Sequence, residues 1–174
     1  HGGVAVDEHL RTSAANVWAM GDVTGGAQFT YLAYDDFRIV ASDVLGDGER
    51  TTENRGSIPH CTFVHPPFAR IGVTAEEARA AGFTTRVFTL PATSISQASI
   101  LQDETGLMKA VVDANSDLVL GMDLFCEDAQ ELVNLVKIVM DARIPASVLR
   151  TAIFSHPSMT EAFNNLFSGS PVQN

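Results

Sequence analysis

The stretch FSHPSMTEAF, Phe154–Phe163, contains the chain's clearest candidate for proton chemistry. His156 precedes a proline, and Glu161 follows in the next turn of chain. An imidazole suits proton transfer near neutral pH because its free pKa is about 6.5. A carboxylate bonded to Nδ1–H fixes the tautomer and leaves Nε2 as the base. Such general acid–base catalysis contributes roughly 10²–10⁴-fold in rate. A purely structural reading also fits. Ser158 can cap a helix with Glu161 as its capping-box partner. The His156–Pro157 bond can be cis and fix a tight bend. Spacing alone leaves both readings open.

A second constellation is MGDVTGG, Met20–Gly26. An extended run ending in Gly21-Asp22, then Gly25-Gly26, then a helix, suits contact with a nucleotide or cofactor. The glycines allow close backbone approach. The following helix N-terminus offers N–H groups to an electron-rich atom. Asp22 can accept hydrogen bonds from ligand hydroxyls. A plain turn in which Asp22 bonds its own backbone fits equally. No GxGxxG occurs, so a complete dinucleotide site is absent from these residues.

The remaining reactive side chains read as structural. His60, His65 and the Pro66-Pro67 turn show no metal-ligand spacing, and His65 reads as a turn residue. No metal ligands are expected. Cys61 and Cys126 lie in apolar runs and read as inert core thiols, in neither a CxxC nor a zinc pattern. Trp18 and the phenylalanines read as core. A hydrolase built on His156 lacks a nucleophile, since no GxSxG or catalytic-cysteine pattern accompanies it.

The elements that position these groups follow from periodicity. Val4–Val6 is a short extended run. Asn16–Asp22 reads as a strand, and Phe29–Leu45 as a long helix stopped by Gly46. Its apolar face is expected at Phe29, Leu32, Phe37, Val40, Val44 and Leu45, with Asp35, Asp36, Arg38 and Asp43 outward. The polar, aperiodic Asp47–Ser57 reads as a domain boundary. Beyond it, strands are expected at His60–Val64, Ile71–Val73 and Thr84–Leu90. A short helix follows Thr74, with Glu77 completing a capping box and Gly82 as the stop. Gly106–Asp113 and Asp117–Cys126 form an antiparallel hairpin. A largely buried helix runs to Arg143, capped by Asp128 with Glu131 at the box position. Pro145 opens a short turn of helix. Ser158–Phe167 is the last helix, and the tail Ser168–Asn174 is expected to fray. The fold class is α+β: an antiparallel sheet flanked by helices, preceded by a strand-loop-helix segment.

Composition sets limits. The 174 residues carry 21 acidic and 11 basic side chains, a formal charge of −10. That opposes binding to nucleic acid or an anionic membrane surface. No apolar run is long enough for a membrane span. With 45% apolar residues, a sizeable core is expected. The two cysteines are no secreted disulfide scaffold, and a cytoplasmic location is expected. The chain opens HGGVAVDEHLRTS without Met, as though inside a domain, so a fragment is expected.

Three stretches, in order, carry a resemblance: VDEHLRTSAANVWAMGDVTGG, TFVHPPFARIGVTAEEARAAG and FSHPSMTEAFNNLF. Together they resemble the C-terminal part of the pyridine nucleotide–disulfide oxidoreductases, which include glutathione reductase, dihydrolipoamide dehydrogenase and mercuric reductase. The resemblance implies that residues 1–50 are the tail of an FAD-binding domain and residues 57–170 a dimerisation domain. It implies that Gly21 and Asp22 belong to the cofactor-binding motif, the aspartate bonding the ribityl chain of FAD. Phe29, Thr30 and Tyr31 would aim backbone N–H groups at the flavin. His156 would be the acid–base residue, held by Glu161, with a cis bond before Pro157. The pair would serve a redox-active cysteine of the other subunit in a homodimer. Thiol–disulfide exchange runs through the thiolate, so a proton acceptor must sit beside the sulfur.

The resemblance further implies a parent enzyme using FAD and NAD(P)H on a small-molecule or disulfide substrate. The redox Cys-x₄-Cys pair and the glycine fingerprints lie upstream in that family and are not among these residues. The chain alone is therefore expected to be a folded dimer that binds no flavin and has no reductase activity. The vicinal cysteines of mercuric reductases are missing from the tail, which argues against that activity. The helix FTYLAYDDFRIV differs from that expected in dihydrolipoamide dehydrogenase or glutathione reductase and looks closer to a bacterial branch linked to defence against reactive chlorine species and hypothiocyanous acid. The alternative is a free-standing α+β interaction module in which His156 and Glu161 are only structural.

Overall fold

A computed structural model describes residues 2–172. The chain divides into two compact units, His1–Gly56 and Ser57–Asn174.

The first unit holds one long helix, α1 (Thr30–Leu45), after an irregular looped segment. No strand forms at Asn16–Asp22, contrary to expectation. The segment makes only an isolated bridge between Arg11 and Trp18. Gly21–Thr24 winds instead into a single 3₁₀ turn. A strand needs a continuous ladder, and the loop offers one rung. The expected faces of α1 are also wrong. Asp35 and Asp36 are buried with Ile39, whereas Phe37, Val44 and Leu45 are exposed. The reason is ionic. Arg50 Nη2 donates to Asp35 at 2.6 Å, and Arg55 Nη2 to Asp36 at 2.6 Å. Those arginines come from the polar segment read as a boundary. Asp43 accepts from Arg11 Nε and from the Trp18 indole N–H, each at 2.8 Å. Trp18 is therefore half-buried by a polar bond, and among the phenylalanines Phe37, Phe63 and Phe83 are exposed rather than core.

The second unit is built on a five-stranded antiparallel sheet, β1 (His60–Thr62), β2 (Phe68–Gly72), β3 (Thr85–Pro91), β4 (Leu107–Asp113) and β5 (Val119–Phe125). The strand order is β1-β2-β5-β4-β3. The expected β4–β5 hairpin is present, and its register shifts at Val111/Val112. Its turn is tied by Asp113, which accepts from the Asn115 and Ser116 N–H groups and the Ser116 hydroxyl. Gly121 faces the Val73 carbonyl so closely that a Cβ would stand 2.0 Å from the oxygen.

Alternation sorts the sheet residues between two covered faces. Met108, Ala110 and Val112 face the main core, with Met122, Leu124, Val133, Val136, Phe163 and Leu166. Val87 and Val111 face α2 (Ala75–Ala80) through Ala75 and Ala78. The main face is covered by α4 (Ala129–Asp141), α5 (Ala146–Thr151) and α6 (Ala162–Ser168), and α3 (Ser96–Leu101) follows β3. The unit is α+β, as expected.

Local caps divide. Thr74 and Glu77 make the full capping box of α2, as expected. Asp128 does not cap α4. Its backbone is left-handed (φ 58°), and its side chain makes no cap bond. The final helix begins at Ala162, because Ser158–Glu161 is spent in a turn. The tail does not fray throughout: the Val172 N–H bonds the Val87 carbonyl at 2.8 Å. Gln173 and Asn174 lie outside the described residues. Among the described residues no helix is long and apolar enough to cross a membrane.

Candidate functional site: the His156–Glu161 pair

His156 stands in the connection between α5 and α6, and the bond from it to Pro157 is cis. The connection is fastened at both ends. Met159 is buried in the main core. Asn164, on α6, donates its side-chain N–H groups to the carbonyls of Leu149, Arg150 and Ala152 at 2.8–3.2 Å. Ser158 Oγ donates to the Ser155 carbonyl at 2.7 Å. Asn164 escaped the sequence reading, because an asparagine inside an amphipathic helix carries no local signal of distant carbonyls.

His156 Nδ1 lies 3.0 and 2.8 Å from the two oxygens of Glu161. The same carboxylate accepts the Ser158 N–H at 3.3 Å, and the Glu161 N–H donates back to Ser158 Oγ at 3.3 Å. One glutamate thus both orients the ring and closes a reciprocal turn. The His156 bond, ahead of opposing desolvation and of the Ser158 N–H, holds the Glu161 carboxyl below its usual range. Glu161 stays ionised, so Nδ1 carries the proton of this bond in the neutral ring. Nε2 is then the open nitrogen on a side chain that is 69% exposed. The ring borders a shallow hollow of about 470 Å³ that Thr93, Ser94, Ile95, Ser96, Ser99 and Ile100 also line.

Neither cysteine offers a nucleophile beside it. Cys61 is half-buried, and burial, with Glu131 adding, pushes its thiol up. Burial pushes Cys126 up to about 12, with Asp128 and Glu127 contributing. Both remain thiols at neutral pH.

The expected cofactor residues gather in the first unit. Gly21 is left-handed (φ 71°), and an added Cβ would come 3.2 Å from Ala33 Cβ. Its N–H donates to Asp36 Oδ2 at 2.8 Å, so the buried Arg55–Asp36 pair also sets the turn. Asp22 is exposed. Its carbonyl accepts the Gly25 N–H at 3.0 Å. Phe29 is the residue before α1, and its N–H bonds the Ala27 carbonyl at 3.1 Å. Thr30 and Tyr31 open the helix, and the Phe29 and Tyr31 rings stack at 5.1 Å.

Comparison with known proteins agrees with this architecture. The chain is 49% identical over 167 residues to the probable pyridine nucleotide-disulfide oxidoreductase RclA of Escherichia coli (strain K12), spanning 96% of this chain and 38% of that protein. It is 30% identical over 166 residues to a dihydrolipoyl dehydrogenase of Mycobacterium tuberculosis (strain ATCC 25618 / H37Rv), spanning 95% of this chain and 36% of that one. A solved Cu(II) complex of RclA, described as an HOCl-induced flavoprotein disulfide reductase, superposes with a TM-score of 0.94 over 96% of this chain and 39% of that chain, at 49% identity. The chain spans well under half the length of these relatives. Residues 58–167 match the family model of the pyridine nucleotide-disulphide oxidoreductase dimerisation domain. The chain belongs to that family, and its second unit is the dimerisation domain.

Proposed function

We propose that this chain is the C-terminal region of a flavin-dependent NAD(P)H:disulfide-type oxidoreductase. In this reading it supplies a homodimer interface and an acid–base pair, His156 and Glu161, to the redox disulfide of the partner subunit. One observation carries the reading: Nδ1 is engaged by an ionised Glu161 while Nε2 stays open on an exposed ring. Nε2 takes the proton of the attacking thiol and returns it to the leaving sulfur, so that a thiolate forms only when needed. Glu161 keeps the tautomer and stabilises the imidazolium.

In the first unit, Gly21, Asp22 and the helix start at Phe29, Thr30 and Tyr31 take the FAD. Asp22 would bind the ribityl hydroxyls, and the backbone N–H groups at the start of α1 would serve the flavin. Residues 1–50 then serve as the end of the FAD-binding domain and residues 57–170 as the dimerisation domain. The relative described as HOCl-induced supports a place in oxidant defence; the substrate in this reading is a small molecule or a disulfide. We expect the isolated chain to dimerise, to bind no FAD and to have no reductase activity.

The test uses the full-length parent. His156→Gln should slow reoxidation of the reduced flavoprotein by disulfide substrate by roughly 10²-fold or more. Flavin reduction by NAD(P)H should stay fast. An unchanged reoxidation rate overturns the reading. That outcome favours the interaction module, for which the reciprocal Ser158–Glu161 bonds already provide a structural role.

A further inference from the structure

We propose that His65, Asp103 and Glu127 form a binding site for a divalent cation of the zinc class on the second unit. One ligand atom from each lies within 4.8 Å of the others. They come from three separate connections: β1 to β2, the segment after α3, and the link from β5 to α4. His65 is exposed, and the two carboxylates are half-buried.

The His65–Asp103 pair carries the argument. Nε2 stands 3.3 Å from Asp103 Oδ2. That oxygen is shut off from solvent, and it accepts no hydrogen bond. A buried carboxylate oxygen left this way is costly. Yet 3.3 Å is about the edge of a tetrahedron whose ligands stand about 2.0–2.1 Å from a central zinc. A cation between the two atoms satisfies both without moving either residue. Asp103 is already oriented for it, since its other oxygen accepts the Thr105 N–H at 3.2 Å. Glu127 closes in as the third ligand, and water completes the shell.

The donor set selects the class of ion. One imidazole and two carboxylates neutralise a dication and suit a borderline metal better than a soft one. The site is separate from the His156–Glu161 pair and stands whether or not that pair is catalytic.

Zinc titrated into the 174-residue chain against a chromophoric chelator at near-neutral pH reads the site directly. We expect one site that weakens by about tenfold or more in each of His65→Asn, Asp103→Asn and Glu127→Gln. Zinc should also raise the melting temperature of the wild type and not that of His65→Asn. His65 is exposed, so its variant should fold normally, and its melting curve in chelator should match the wild type. Equal zinc affinity in wild type and His65→Asn, or no zinc bound by the wild type, overturns the proposal.

Discussion

The two units hold themselves together by different physics. The second buries a continuous apolar cluster in which Met108, Leu124, Val133, Val136, Phe163 and Leu166 are almost wholly shielded from water. Among the described residues, the first buries only Leu10 and Ile39 of its apolar side chains, and it also buries Asp35 and Asp36, each paired with an arginine. Apolar burial stabilises in proportion to area and is indifferent to direction. Buried ion pairs add little net stability but fix geometry, and removing one partner is costly. The second unit is thus built to persist and present a surface. The first is built to hold a turn, Gly21–Thr24, in one shape. It also leaves Tyr34, Phe37, Val44 and Leu45 exposed on α1, so its own core does not consume its apolar surface.

Truncating the apolar core should have the largest effect. Phe163→Ala removes a fully buried ring and should cost about 4 kcal/mol, seen as a lower urea midpoint. A loss below about 1 kcal/mol would mean that the core collapses around the gap. Arg55→Met should come next, at about 3 kcal/mol, because it strands the buried Asp36 carboxylate. Its signature is local: hydrogen exchange should quicken across residues 2–56 while the β3–β4 ladder stays protected. If both regions open together, the contrast between the units fails.

Smaller changes sharpen the contrast. Thr74→Ala removes the cap of α2 and should cost about 1 kcal/mol, confined to the second unit. The smallest effect concerns pH. Glu161 is held below the usual carboxylate range, so its bond contributes stability above the ordinary glutamate pKa. That contribution is lost as pH falls through the lowered value. Urea midpoints of wild type and Glu161→Gln should therefore differ at neutral pH and converge in acid. Parallel curves would show that the carboxylate gains nothing from His156.

What was readable in the sequence follows the same division. The hairpin β4–β5, the capped α2 and the buried α4 were legible because period and cap chemistry are local. The His156–Glu161 contact was legible for the same reason: both partners sit in one turn. The burial of Asp35 and Asp36 was not, since it depends on arginines from a segment without periodicity. Nor was the clustering of His65, Asp103 and Glu127, which only the folded connections around the sheet bring together. Asp128 misled because its residue type fits an N-cap while its left-handed backbone turns the side chain away.

The claim at the centre is that His156 works on sulfur in the other subunit, and subunit mixing tests it most directly. In the full-length parent, one homodimer carries His156→Gln and the other lacks the redox cysteines, so each alone is inactive. After exchange, a hybrid dimer pairs intact cysteines of one chain with the intact histidine of the other. The account predicts recovery of activity toward about a quarter of the wild-type level, one working site in each hybrid. A mixture that stays inactive although hybrids have formed would contradict it.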